Sequence, residues 1–262
     1  MGKQGKQYSK LKMANISAVI ITRNEEKKIE RCIRSIGAIA DETIVVDSFS
    51  TDRTEEICRG LGCKFVQHEF SGYGPQKRFA VSLASHDWIL SLDADEELSP
   101  ELAEAILALK QEGLGEATTA YALKRRNYYC KKLIRFYEGG YESKVRLFNR
   151  TCANWSEKLV HEEIDCQSIT RIIRINGDLK HHTYDSVEQH VKKTEEYGKL
   201  GALEVKMSGK RYSKPVIILK AIYRFFINYI IKLGFLDGYY GFKLCQMGAW
   251  YVYLKYMGGR EK

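Results

Sequence analysis

The alternation of short apolar runs with helical segments is what most constrains this chain. "ISAVIIT" (16–22) is a nearly continuous β-branched run, the pattern of a strand buried on both faces. After it, Ile29, Cys32, Ile33, Ile36 and Ala40 recur at helical spacing. "ETIVVDS" (42–48) is a second buried strand, followed by a helix with Asp52 as its expected N-cap and Ile57, Cys58 and Leu61 on one face. "CKFVQHE" predicts a third strand, "PQKRFAVSLAS" a short helix and "WILSL" a fourth strand. "SPELAEAILALKQEG" is a helix with Ser99 as N-cap, Pro100 in the first turn and Gly113 at its end. Strands alternating with helices imply βαβ units and a doubly wound, largely parallel sheet. From about residue 119 the runs "TAYALKRRNYY", "SKVRLFN", "EKLVHEEI" and "TRIIRI" predict mixed or antiparallel strands at the sheet edge, and from about 185 the chain turns helical.

In such a sheet ligands bind beyond the carboxyl ends of the strands. Three of those ends carry polar clusters: Thr22-Arg23-Asn24-Glu25, Asp47-Ser48 and Asp93-Ala94-Asp95. The third opens "LDADEEL", in which four acids fall within five positions. Asp-x-Asp after a buried strand is a hard-oxygen site suited to Mg²⁺ or Mn²⁺, which keep positions open for substrate phosphates. Acids at the start of the next helix also suit its dipole, so the triplet alone leaves a structural role open.

The formal charge of +9 favours anionic partners. The seven cysteines show no C-x-x-C pair or zinc-like spacing, which predicts reduced thiols in a cytosolic protein. The stretch "MGKQGKQYSKLKM" lacks an apolar core and is expected to be a flexible basic tail, neither a secretory signal nor a myristoylation site.

"ISAVIITRNEE", "TIVVDSFSTDRT", "GYGPQKRFA" and "WILSLDADEEL", in this order, resemble a family 2 glycosyltransferase of the GT-A fold. The closer likeness is to the bacterial lipopolysaccharide-core glucosyltransferases. "KVRLFNR", "KLVHEEI", "GDLKHHTYDS" and "KLGFLDGYYGFKLCQMGAWYVYLKY" extend it through most of the chain. The resemblance implies an α/β, Rossmann-like mixed sheet with helices on both faces, divided into a basic tail (1–14), a catalytic domain (15–205) and a helical, amphipathic extension (206–262). It implies a nucleotide-sugar donor, a UDP-sugar first, and a glycan or glycolipid acceptor. Thr22, Arg23 and Glu25 would line the nucleotide pocket. Asp47 would contact base or ribose, Lys77 base or diphosphate, and Asp93 ribose and metal, with Asp95 binding the metal directly. Arg78 stands where the family pattern often has Asn. The processive-synthase motif Q-x-x-R-W is absent from the chain.

An inverting transfer needs a group to take the acceptor hydroxyl's proton. Family position gives that role to Glu162, with His161 as second choice or orienter; if the stretch is extended, strand alternation turns Glu163 to the other side. His181 of "GDLKHHTYDS" would complete the metal site with Asp93 and Asp95. Arg146 could pair with phosphate or make a structural ion pair, and Trp155 could be core or stack on an acceptor sugar. Gly72 and Gly74 are expected to form a flexible turn.

In "KPVIILKAIYRFFINYIIKL" (214–233), Lys220, Arg224, Asn228 and Lys232 make a polar stripe on an otherwise apolar helix. No stretch is long and uncharged enough to span a membrane, which leaves two expectations for this helix: packing on the catalytic domain or a second subunit, or peripheral docking on an anionic membrane surface, at the inner face of the cytoplasmic membrane of a cytoplasmic protein. A metal-dependent nucleotidyltransferase would share the strand-end acids but wants a Gly-rich loop that "TRNEEKK" does not supply. A nucleic-acid-binding module would rest on "LKRRNYYCKKLIRFY" (123–137) alone and leave the acids unexplained, so no nucleic-acid partner is expected.

Overall fold

The computed structural model describes residues 13–137, 140–158, 162–209 and 211–260. Two compact units share the chain: one holds residues up to Lys124 and Ser143–Leu179, the other Arg125–Glu142 and Lys180 onward. The second unit takes in residues 180–205 as well as the segment from 206 on.

In the first unit β1 (Ile16–Thr22), β2 (Glu42–Asp47), β3 (Lys64–Gln67) and β4 (Trp88–Asp93) are parallel. Between them lie α1 (Ile29–Ser35), α2 (Thr54–Gly60) and α3 (Tyr73–Ser82). A short strand β5 (Glu96–Leu98) and α4 (Pro100–Gln111) follow, then β6 (Thr119–Tyr129), β7 (Lys132–Leu133) and β8 (Glu142–Asn149). After β8 come β9 (Asn154–Trp155), β10 (Ile164–Asp165) and β11 (Arg171–Tyr184). The main sheet runs β3-β2-β1-β4-β8-β6-β11-β5, with β8 antiparallel to β4.

The β-branched runs form inner strands because both sheet faces are covered. Ile16, Ala18 and Ile20 pack with α1, α2 and α4, and Val19, Ile44 and Val46 pack with Ala80 and Val81 of α3. Ser99 Oγ accepts from the Leu102 N–H at 3.3 Å and Pro100 occupies the first turn, which fixes where α4 starts. Leu102 and Ile106 are fully buried, contributing roughly 1.5–3 kcal/mol each. Register does the positioning: Thr22 pairs with Asp47 and Ile21 with Asp93, so all three strand ends reach one edge.

In "EKLVHEEI", Ile164 pairs antiparallel with Trp155, and the next residue, Asp165, with Asn154; residues 159–161 lie outside the described residues. Ser156 N–H donates to the Glu163 carbonyl at 2.8 Å and Ser156 Oγ accepts from Glu163 N–H. The N-cap of α2 is Arg53 rather than Asp52; Asp52, one residue further out, accepts from Thr54 N–H at 3.0 Å.

In the second unit α5 (Val187–Met207), α6 (Lys214–Phe226) and α7 (Gly238–Gly258) pack together, with a π-helical turn at Ile227–Ile231 and a 3₁₀ turn at Gly234–Asp237. Gly198 lets α5 approach α7 closely, since a Cβ there would lie 2.7 Å from Leu254 Cβ. Asp237 accepts from the backbone N–H groups of Arg135, Phe136 and Tyr137 at 2.8–3.0 Å and fixes that loop.

Candidate active site

Asp93 ends β4, Ala94 and Asp95 form a turn, and Glu96 begins β5. Lys77, nearly buried on α3, reaches Asp93 Oδ1 at 2.8 Å and Glu162 Oε1 at 2.8 Å. Arg146 Nη2 donates to Asp93 Oδ2 at 2.9 Å and to Glu96 Oε1 at 2.6 Å, while Glu96 Oε2 accepts from Asp93 N–H. Burial opposes the charge on Arg146, but Glu96 and Asp93 outweigh it and hold the guanidinium pKa above its ordinary value. Burial first, then Glu96, Asp95 and Asp93, pushes the nearby Cys32 thiol well up, so it stays protonated.

Trp155 stacks beneath both cations. Lys77 Nζ lies 4.3 Å and the Arg146 guanidinium 5.4 Å from its ring, and its Nε1 donates to Ser91 Oγ at 3.1 Å. Arg78 donates to the Trp155 carbonyl at 2.8 Å. The ring is buried and cannot present a face to an acceptor sugar; it is a platform for the two cations. Lys77 and Arg146 thus tie together three acids from separate segments, Asp93, Glu96 and Glu162.

At the end of β1, Asn24 takes the left-handed conformation (φ 54°). Its side chain accepts from Thr51 N–H at 2.7 Å, its own N–H donates to Ser50 Oγ, and Glu25 N–H donates to Thr54 Oγ1. These contacts tie the two strand-end loops together. Arg23 is exposed, Glu25 pairs with the buried Lys28 at 3.4 Å, and Thr22 Oγ1 is buried with no hydrogen-bond partner among the described residues. Asp47 is fully buried, with both carboxylate oxygens accepting from Ser50.

Residues 17–173 match the sequence profile of Glycosyl transferase family 2. The chain belongs to glycosyltransferase family 2. An uncharacterized glycosyltransferase of Rickettsia typhi is 34% identical, over 88% of this chain and 81% of its own. A lipopolysaccharide core biosynthesis glycosyltransferase of Rhizobium meliloti is 29% identical, over 91% of this chain and 89% of its own. Among solved structures, glucosyl-3-phosphoglycerate synthase of Mycobacterium tuberculosis, crystallised with Mn²⁺ and uridine diphosphate, shares 26% identity over 44% of each chain, with a TM-score of 0.35. The family and the observed sheet agree with the GT-A expectation, and membership decides against a nucleotidyltransferase.

In this glycosyltransferase the fold gathers Lys77, Asp93 and Glu162 into one cluster, and the β1–β2 end loops carry Thr22, Arg23, Glu25 and Asp47 beside each other. Glu163 is largely exposed while Glu162 is largely shielded. His161 lies outside the described residues. His181 belongs to the second unit, where its Nδ1 lies 2.8 Å from Asn127 Oδ1. Among the described residues no group of three or more His, Cys, Asp or Glu is arranged to hold a metal by itself. One or two carboxylates on a tight turn nevertheless fit Mg²⁺ or Mn²⁺, which takes its remaining oxygens from phosphates and water.

Arg146 and Gly74 matter more than their sequence context suggests. "KVRLF" reads as an ordinary strand, and only the pairing Leu90–Leu147 puts Arg146 opposite the end of β4. Gly74 is buried: a Cβ there would lie 2.2 Å from the Ser156 carbonyl oxygen and 2.4 Å from that of Lys158, in the loop leading to Glu162. The pair "GYG" carries that signal, but a flexible turn has the same composition.

Proposed function

We propose that the protein transfers a hexose, glucose being the first candidate, from a UDP-sugar to a glycan or lipid-linked saccharide such as a lipopolysaccharide core, with inversion. The observation that carries this reading is Lys77, which joins the Asp93–Asp95 turn to Glu162 through two contacts of 2.8 Å. Asp95, with Asp93 beside it, would hold Mg²⁺ or Mn²⁺; bound there, the ion neutralises charge developing on the departing diphosphate. Thr22, Arg23, Glu25 and Asp47 form the nucleotide-binding edge.

Glu162 takes the proton of the acceptor hydroxyl as its oxygen bonds to the anomeric carbon. The bond from that carbon to the diphosphate oxygen breaks on the opposite face, and the nucleotide diphosphate leaves. While Lys77 is bound to Glu162, one carboxylate oxygen is occupied. A diphosphate competes for the ammonium, so arrival of the donor frees the base. His161 is the alternative base or the group that orients Glu162. Kinship to the Rhizobium meliloti protein, named for lipopolysaccharide core biosynthesis, supports the acceptor class. Release of UDP from UDP-glucose in the presence of Mn²⁺ and a core oligosaccharide tests the reading. Turnover that requires both supports it, and no release with any UDP-hexose removes it.

A further inference from the structure

The amphipathic helix α6 packs with its polar stripe inward. Asn228, within that stripe, is fully buried in the π-helical turn, and Lys220 lies over the rings of Tyr212 and Tyr256 at 4.8 and 5.2 Å; Lys232, at the stripe's far end beyond α6, is exposed. The opposite face is left to solvent: Ile218, Leu219, Ile222, Tyr223 and Phe226 are each about half exposed or more. Their spacing puts them on one side of the helix. Ile231, Phe235 and Leu236 extend the exposed apolar surface through the two turns that follow. A water-facing helix normally shows the reverse arrangement, and an apolar surface of this extent marks an interaction site.

Charge identifies the partner. The second unit carries 20 Lys and Arg against 9 Asp and Glu, an excess of 11, while the first unit has 22 against 24 and is slightly negative. We infer that the second unit docks on an anionic bilayer, with the apolar face of α6 and the following turns entering the headgroup–acyl boundary and the surrounding cations meeting lipid phosphates. A second copy of the chain is disfavoured as occupant because it would bring two units of strong like charge together. Among the described residues no helix is long and apolar enough to cross a membrane, so this segment would lie in the interface plane. Tyr223, Phe226 and Trp250 are residue types suited to that depth. The inference stands independently of the reaction proposed above.

Co-sedimentation with vesicles of phosphatidylcholine, with and without phosphatidylglycerol, tests it on the full chain. The wild type should pellet with the anionic vesicles at low salt and more weakly with phosphatidylcholine alone. Leu219→Ser/Ile222→Ser/Phe226→Ser, whose side chains face solvent, should keep its circular dichroism and lose about tenfold in partitioning. Three outcomes would overturn the inference. The wild type may stay in the supernatant with anionic vesicles, the folded triple variant may pellet as well as the wild type, or sedimentation velocity may show a dimer that the triple variant dissociates.

Discussion

Lys77 donates to Glu162 Oε1 across 2.8 Å, although 85 residues of chain separate them. The same ammonium touches Asp93 at 2.8 Å, so one side chain ties the donor-side turn to the proposed base. Glu162→Gln keeps the shape and can still accept from Lys77, but it cannot take a proton. Turnover should fall by about 10²–10⁴-fold with UDP affinity nearly unchanged, measured by steady-state kinetics and calorimetry. Lys77→Met should weaken UDP binding as well.

Arg146 neutralises a Glu96 side chain that is wholly buried. Arg146→Met leaves Glu96 and one oxygen of Asp93 without that partner in a desolvated place. Urea denaturation should show a loss of roughly 3–5 kcal/mol. Arg146→Lys should recover part of it, because the ammonium keeps the charge but not the guanidinium's planar, weakly hydrated shape or its stacking on Trp155.

Gly74→Ala should damage activity through the loop at 156–158, since the new methyl collides with two backbone carbonyls that cannot move independently. Gly60→Ala, where a Cβ meets nothing within 4 Å, is the matched control and should gain up to about 1 kcal/mol. Activity and melting temperature measured on both variants separate a displaced site from a general glycine effect.

Acid should destabilise the helical unit through His190. Burial, with Lys193 adding to it, pushes this imidazole down to about 4 from an ordinary 6.5, and its Nδ1 lies 3.0 Å from the Tyr129 hydroxyl. Below pH 6.5 the unfolded chain takes up a proton that the folded chain refuses. The stabilisation present above pH 6.5 is therefore lost as pH falls toward 4, by roughly 3 kcal/mol at most. Melting temperature should fall over that window, and less steeply in His190→Gln.

The inner strands were legible because continuous apolar runs have few other uses, and α4 was legible because Ser99-Pro100 is a local signal. The burial of Glu96 was not. Its partner lies 50 residues away, and only the antiparallel register of β4 and β8 brings them together. Trp155 was ambiguous for the same reason, since its cations come from α3 and β8. The stripe on α6 was visible in the sequence, but its facing was not. Amphipathicity shows that a helix has two faces, and tertiary packing decides which one meets water.

In the proposed reaction the turn at Asp95 grips a divalent ion and a nucleotide diphosphate together. Titrating UDP into the wild type and Asp95→Asn, with and without Mn²⁺, tests it directly. Binding to the wild type should tighten at least about tenfold with Mn²⁺, and the variant should lose that gain while keeping its fold. Equal Mn²⁺-dependent binding to both proteins, or none to the wild type, would contradict the account.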